Sequence, residues 1–353
     1  MNCINYLFYE WMSRAAAFHY FAAMIRSLIL LVLCVVADLQ PVVSQRLAFG
    51  SCSRHTSENQ LWEEVNAEKP DMWIWSGDNI YADTHDMRKM RLMYEQQKNR
   101  TAYQKLREQA TVYGTWDDHD YGVNDGGKFF SMKDPSKELL LDFLDVPVDA
   151  KVRNHTGVYQ SYITGTDQKK IKILLLDTRY FRDTLMPSAT KGKRYEINPD
   201  GDILGEAQWE WLKTELTNSE AAVNIIVSSI QFIANDHGFE KWGNFPRARK
   251  RMIDLLEEVK PNFTFFISGD RHIAEVSRMN LPGLSYPLYD ITSSGLTHTW
   301  SVIGTEENKA RVSPLIVERN FGVIDIRWKG KLPKTHLRII GPKGKVLHAQ
   351  VIQ

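Results

Sequence analysis

The sequence predicts an α/β sandwich. Two observations carry that expectation: short β-rich runs alternate with stretches of helical periodicity from residue 46 onward, and several of the runs are continuously apolar. Unbroken apolar runs are expected of strands covered on both faces, and strand–helix alternation of layered α/β folds. A third observation places the chemistry. Metal-competent side chains fall just after the runs, where open α/β sheets bind ligands.

The predicted strands are 46–50, 72–76, 112–116, 171–176, 223–228, 263–268 and 322–327. Trp209, Leu212 and Leu216 recur at helical spacing. Met252, Leu255, Leu256 and Val259 do the same, in a helix that must end before Pro261. Residues 184–202, rich in Pro, Gly and Lys, read as a long surface loop. The Arg247–Arg251 cluster reads as the solvated start of a helix. No repeat or linker divides residues 45–353, which are expected to form one domain.

Residues 1–44 read differently. The apolar run from Leu28 to Ala37 follows Arg26 and precedes small residues near Ser44. It is too short for a stable membrane span, which needs ~20 residues, and fits a cleaved secretory signal. Met24 is the more natural start, with the first 23 residues an upstream extension. A retained signal-anchor is the alternative. Three sequons, at Asn99, Asn154 and Asn262, agree with a secreted or lumenal protein; the first two lie in polar stretches and are the better glycan acceptors. Past the leader Cys52 stands alone, so it is either an inert buried thiol or a metal ligand.

Composition excludes several classes. Across 353 residues, 44 Lys+Arg balance 43 Asp+Glu, and apolar residues make up 43%. That is globular composition, without the basic footprint of a nucleic-acid binder.

Five segments meet at the predicted strand ends: Ser51-Cys52-Ser53, Gly77-Asp78-Asn79-Ile80-Tyr81, Asp117-Asp118-His119-Asp120, Asp177-Thr178-Arg179 and Gly269-Asp270-Arg271-His272. One Asp after a strand is an ordinary turn or cap residue. Several converging carboxylates repel one another unless a cation lies between them. Asp78 has two oxygens with which to bridge two ions, Asp118 and Asp270 are hard oxygen donors, and Cys52, Tyr81 and His272 suit a transition metal. His119 is placed to give a proton to a leaving group. Arg179 offers a planar fork to a phosphate, unless it pairs with Asp177 or Asp183. Tyr81 as plain core and an Asp270–Arg271 ion pair are the competing readings. Trp73, Trp75 and Trp116 are expected in the core, Trp242 and His237 at a pocket rim, with Asp236 or His237 a possible extra ligand. Trp300 and the segment from Ser293 to His298 complete the candidates, His298 without a role.

Together with Phe49-Gly-Ser-Cys-Ser53 and Trp116-Asp-Asp-His-Asp120, these motifs resemble, in order, those of the PhoD-like alkaline phosphatases of the calcineurin-like metallophosphatase superfamily. The resemblance implies a four-layer α/β/β/α sandwich and a dinuclear centre, Fe³⁺ with Ca²⁺ in bacterial members. It also implies hydrolysis of phosphate mono- or diesters by a metal-bound hydroxide. By motif, Cys52, Asp78 and Tyr81 resemble the iron ligands, Asp118 holds the second metal, His119 is the general acid, and Asp270 and His272 occupy the last ligand motif. Two departures stand out. The bacterial proteins have an additional N-terminal domain for which the residues before Cys52 leave no room, and Arg271 replaces a small or apolar residue, offering a guanidinium to substrate or to an acid. A phosphodiesterase for a lipid or nucleotide diester, a silent metal-binding relative and a calcium-only adhesion protein are the alternatives.

Overall fold

The computed structural model describes residues 44–301 and 306–353. The proposed leader, apart from Ser44, lies outside the described residues. The chain opens with strand β1 (Ser44–Gly50), helix α1 (Trp62–Glu68), β2 (Met72–Ser76), α2 (Met87–Lys98), α3 (Thr101–Gln109), β3 (Thr111–Thr115), the single turn α4 (Asp118–Tyr121) and α5 (Lys133–Phe143). It continues through β4 (Gln160–Thr164), β5 (Ile171–Leu175), the two-residue strands β6 (Met186–Pro187) and β7 (Tyr195–Glu196), α6 (Gly205–Thr217), β8 (Val223–Val227) and α7 (Pro246–Val259). It closes with β9 (Thr264–Ser268), β10 (Ala274–Met279), β11 (Leu288–Ser293), β12 (Phe321–Lys329), β13 (Leu332–Ile340) and β14 (Val346–Val351).

Two six-stranded sheets result, in the orders β14-β13-β12-β1-β2-β3 and β10-β11-β9-β8-β5-β4. Within the first, β1, β2 and β3 run parallel. Within the second, β5, β8, β9 and β11 do so. Antiparallel strands are added at the margins.

The period-two alternation of side chains sorts these strands into four layers. Leu47, Phe49 and Ile74 of the first sheet meet Ile173, Ile225, Phe265 and Ile267 of the second in a wholly buried inter-sheet core. The opposite faces turn outward onto helices. Trp73 and Trp75 pack on Trp62 of α1, Tyr103 of α3 and Phe143 of α5, while Leu174, Ile226 and Phe266 pack on Trp209 and Leu212 of α6 and on Met252 and Leu256 of α7. The α/β sandwich expected from the alternation is therefore the observed fold, and helix–sheet–sheet–helix is its layering.

Helix α7 starts with Pro at its first turn and ends at Lys260, which adopts a left-handed conformation just before Pro261. Residues 184–202 are a surface loop as expected, pinned by the β6–β7 hairpin. No helix among the described residues is long and apolar enough to cross a membrane.

Candidate metal centre

All the parallel strands of the first sheet, and β9 of the second, deliver their C-terminal ends to one place. The chain must turn sharply there. Cys52, Asp78, Asp270 and His272 all have left-handed backbones, with φ of 60°, 49°, 67° and 55°. That conformation costs a non-glycine residue roughly 1–2 kcal/mol, so four such residues at one site mark stored strain that positions side chains. Gly77, at φ 98°, could not carry a side chain, because a Cβ would lie 2.5 Å from Asp117 Cβ. A Cβ on Gly269 would lie 2.5 Å from the Ser76 carbonyl oxygen and 2.6 Å from Ser51 Oγ, which is how closely β9 approaches β1 and β2.

The ligand-competent groups fall into three overlapping sets: Cys52, Asp78 and His272; Asp78, Asp118 and His119; and Asp117, Asp118 and Asp270, with donor atoms within 4.8 Å of one another in each. Asp78 belongs to two of them. Its Oδ2 lies 3.4 Å from Cys52 Sγ and accepts from the Tyr81 hydroxyl at 3.2 Å. Tyr81 OH is also 2.9 Å from His272 Nε2. The site thus groups His272 with Cys52 and Tyr81, and Asp270 with Asp117 and Asp118. Tyr81 is not simple core: its hydroxyl joins the donor cluster.

The electrostatics are those of a site built around cations. Burial first, then the Asp78 charge, pushes the Cys52 thiol well above its usual range. Burial likewise raises Asp78 and Tyr81. Asp118 goes the other way, to about 2, because Arg179, His119 and backbone N–H groups outweigh its burial. One of those N–H groups, from Asp125, donates to Asp118 Oδ2 at 2.6 Å. Burial, then His298 and His119, lower His272 to about 3, so it is a neutral donor at physiological pH. Cys52, Asp78 and Tyr81, none paired with an ammonium or guanidinium group among the described residues, and a neutral imidazole fit metal ions by their chemistry, since a bound cation would displace the protons that burial retains.

His119 Nδ1 is 2.8 Å from Asp83 Oδ2, and its ring stacks on Tyr81 at 4.1 Å between centroids. Burial disfavours the charged ring, but Asp78 and the Asp83 bond prevail and raise it to about 11. Asp83 was not a sequence candidate; its spacing from Tyr81 carries no signal. The sequence offers no role for His298, but the fold brings it to the donors, 4.4 Å from the His272 ring and 5.1 Å from Tyr81, with Nε2 buried and unpartnered among the described residues.

Several expectations need correction. Arg179 is not a phosphate-facing residue. It is wholly buried, with Nε donating to Asp117 at 2.6 Å and Nη1 to Glu240 at 2.7 Å. Neither partner is the Asp177 or Asp183 weighed from sequence; Asp177 instead accepts from the Arg179 backbone N–H at 2.9 Å. Arg271 pairs with Glu306 at 2.5 Å rather than Asp270, and its guanidinium lies 4.2 Å over the Phe239 ring. Trp242 is no rim residue: it is fully buried against Phe232 and Trp209. His237 and Asp236 stand apart from the metal-ligating groups. His237 is buried beside a separate basic cavity with Lys193 and Lys241, and Asp236 accepts from the Lys309 backbone.

Above the donors is a cavity of about 90 Å³ bordered by Asp118, His119, Arg194, Asp270, Arg271 and Trp300. Arg194, overlooked in the sequence because its loop carries no motif, is half exposed at this mouth and pairs with Asp125 at 2.6 Å. The Tyr195 hydroxyl donates to the same Asp125 oxygen at 2.6 Å.

Comparison with known proteins agrees with this geometry. A model of the PhoD-like phosphatase family matches residues 47–305. The chain is 21% identical over 294 residues to alkaline phosphatase D of Bacillus subtilis (strain 168), covering 68% of this chain and 48% of that protein. It therefore spans about half the length of that curated relative. The solved structure of PhoD superposes with a TM-score of 0.68 at 16% identity, covering 88% of this chain and 69% of the other, a likeness of fold. With the family match extending over most of the described residues, the chain belongs to the PhoD-like phosphatases.

Proposed function

We propose that this chain hydrolyses phosphoric esters at a dinuclear metal centre. The observation that carries this reading is the overlap of the donor sets at Asp78, beside a small cavity that Asp118 and Asp270 border and whose lining holds two histidines and two guanidinium groups. Cys52, Asp78, Tyr81 and His272 would hold one ion, and Asp78, Asp118 and Asp270 the other; the family resemblance favours iron for the first and calcium for the second. Bound ions supply Lewis acidity toward water and toward the phosphoryl oxygens.

The chain's own residues do the rest. Arg194, at the mouth, can leave Asp125 for a phosphate oxygen, and Arg271 adds positive charge to the same lining. Asp83 fixes the His119 ring through Nδ1, which leaves Nε2 to protonate the departing alkoxide. Arg179 holds Asp117 in place beside Asp118 and does not touch substrate.

The test is hydrolysis of bis(p-nitrophenyl) phosphate and p-nitrophenyl phosphate before and after chelation and metal return. Activity lost on chelation and restored by metal supports the proposal. Metal bound without turnover on either ester identifies a silent relative instead, and a calcium-only protein without turnover an adhesion role.

A secretory route is part of the same proposal. Asn99 and Asn154 are exposed, as are Thr101 and Thr156 of their sequons, whereas Asn262 Nδ2 is bonded to the Ala221 carbonyl at 2.9 Å. Expression through a eukaryotic secretory host is expected to glycosylate the first two. Asn99→Gln and Asn154→Gln should each remove one glycan from the mass, and an unglycosylated secreted wild type would count against this route.

A further inference from the structure

A second, larger groove of about 450 Å³ adjoins the metal-centre cavity, and the two share Asn124, Asp125 and Tyr195. Its apolar lining sets Phe129 and Phe130 beside Val123 and Leu185. Phe129 is 76% exposed, and Phe130 lies 5.0 Å from the exposed His85 ring. Asn124, Ser131 and Thr184 are among the polar side chains lining it, together with Asp183, which is paired with Lys128.

The floor of the groove is held rigid from below. Arg182 Nη2 donates to the carbonyls of Asp125 and Gly126 at 2.5 and 2.7 Å, and Tyr121 OH donates to that of Gly127 at 2.9 Å. Arg182 in turn pairs with Glu240 at 2.9 Å, and Glu240 with Arg179. A single buried charge network therefore ties this floor to Asp117, beside the candidate ligands. A groove fixed in this way needs little reorganisation to receive a ligand.

The geometry points to a specificity pocket for one ester arm of a phosphodiester, an arm that ends in a planar aromatic group such as a phenol or a nucleobase. The inference rests on the phosphoester reading above and names its substrate class. The phosphate sits over the donors, and the arm passes Asn124 and Tyr195 to lie against Phe129 and His85. Exposed aromatic faces reward stacking. A flat heteroaromatic edge can also bond to Asn124 and Thr184, whereas an acyl chain would strip them of water and replace nothing.

The experiment uses metal-loaded protein and phosphonates, which resist hydrolysis: benzyl-, ethyl- and dodecylphosphonate and a 5′-phosphonate of thymidine. Each competes against bis(p-nitrophenyl) phosphate, and calorimetry measures binding directly. The expected result is that the two aromatic phosphonates bind about ten-fold more tightly than ethylphosphonate, and that Phe129→Ala reduces this ratio below two-fold. A thymidine compound tighter than the benzyl one identifies a nucleoside arm; equal affinities identify an aryl arm held by stacking. Dodecylphosphonate binding tightest, equal affinities for ethyl and benzyl, or a ratio untouched by Phe129→Ala would overturn the proposal. Aromatic preference by calorimetry without hydrolysis of any ester would uphold the groove and reject the hydrolase reading.

Discussion

Arg179, the guanidinium that the sequence singles out, and Arg194, which it does not, divide by environment. Arg179 follows a predicted strand, but its fork is filled by Asp117 and Glu240, both buried. Removing one partner of such a pair typically costs 3–5 kcal/mol, because the other charge is left uncompensated. Arg179→Ala is therefore expected to lower the denaturation midpoint by that order of free energy. A stable variant with only a raised KM would restore Arg179 to a substrate-facing role. Arg194→Ala should do the reverse, raising KM for phosphoesters about ten-fold with stability within ~1 kcal/mol, as steady-state kinetics and a melting curve would show. The sequence shows that Arg179 ends a strand. It cannot show Glu240, 61 residues away, or that His298 reaches His272. The positions of Cys52, Asp78, Tyr81, Asp118, Asp270 and His272 were legible because each lies within five residues of a strand end, and the strands before Asp78 and Asp270 are plain apolar runs.

At the scale of elements, the strand-to-loop turns carry the site. Gly77 combines a left-handed φ with a Cβ position only 2.5 Å from Asp117. Gly77→Ala must therefore push apart the β2 and β3 ends, and it is expected to destabilise the fold by about 1–3 kcal/mol and weaken metal binding together. Urea unfolding and metal titration of one preparation would check this; unchanged metal affinity would show that the turn does not position Asp78. The same scale explains which strands could be read. β2 matches its expected bounds because all five residues are buried and apolar except Ser76. β11 is just as buried but contains Asp290, Thr292 and Ser293, whose side chains bond to the Phe232 and Ile233 N–H groups, to Gln231 and Ser268, and to Asn320, so no apolar run announces it. β13 is half exposed and begins Leu-Pro-Lys, and sequence reasoning passed over it.

For the whole molecule, the two sheets make a fold whose stability and metal loading are linked. Cys52, Asp78 and Tyr81 sit above their ordinary ranges because of burial, so the metal-free centre retains protons that metal binding must expel. Metal affinity should therefore weaken as pH falls from 8 to 6, with protons released on binding, and chelation should lower the melting temperature. Affinity independent of pH would mean that these donors are not ligands. The most direct measurement of the central claim compares wild-type protein with Asp78→Ala, purified side by side without chelators, for bound metal and for hydrolysis of a chromogenic phosphodiester and monoester. The expected result is a folded variant that has lost both metal and turnover. A variant that keeps its metal and its activity would contradict the assignment of Asp78 as the residue shared by the two ions.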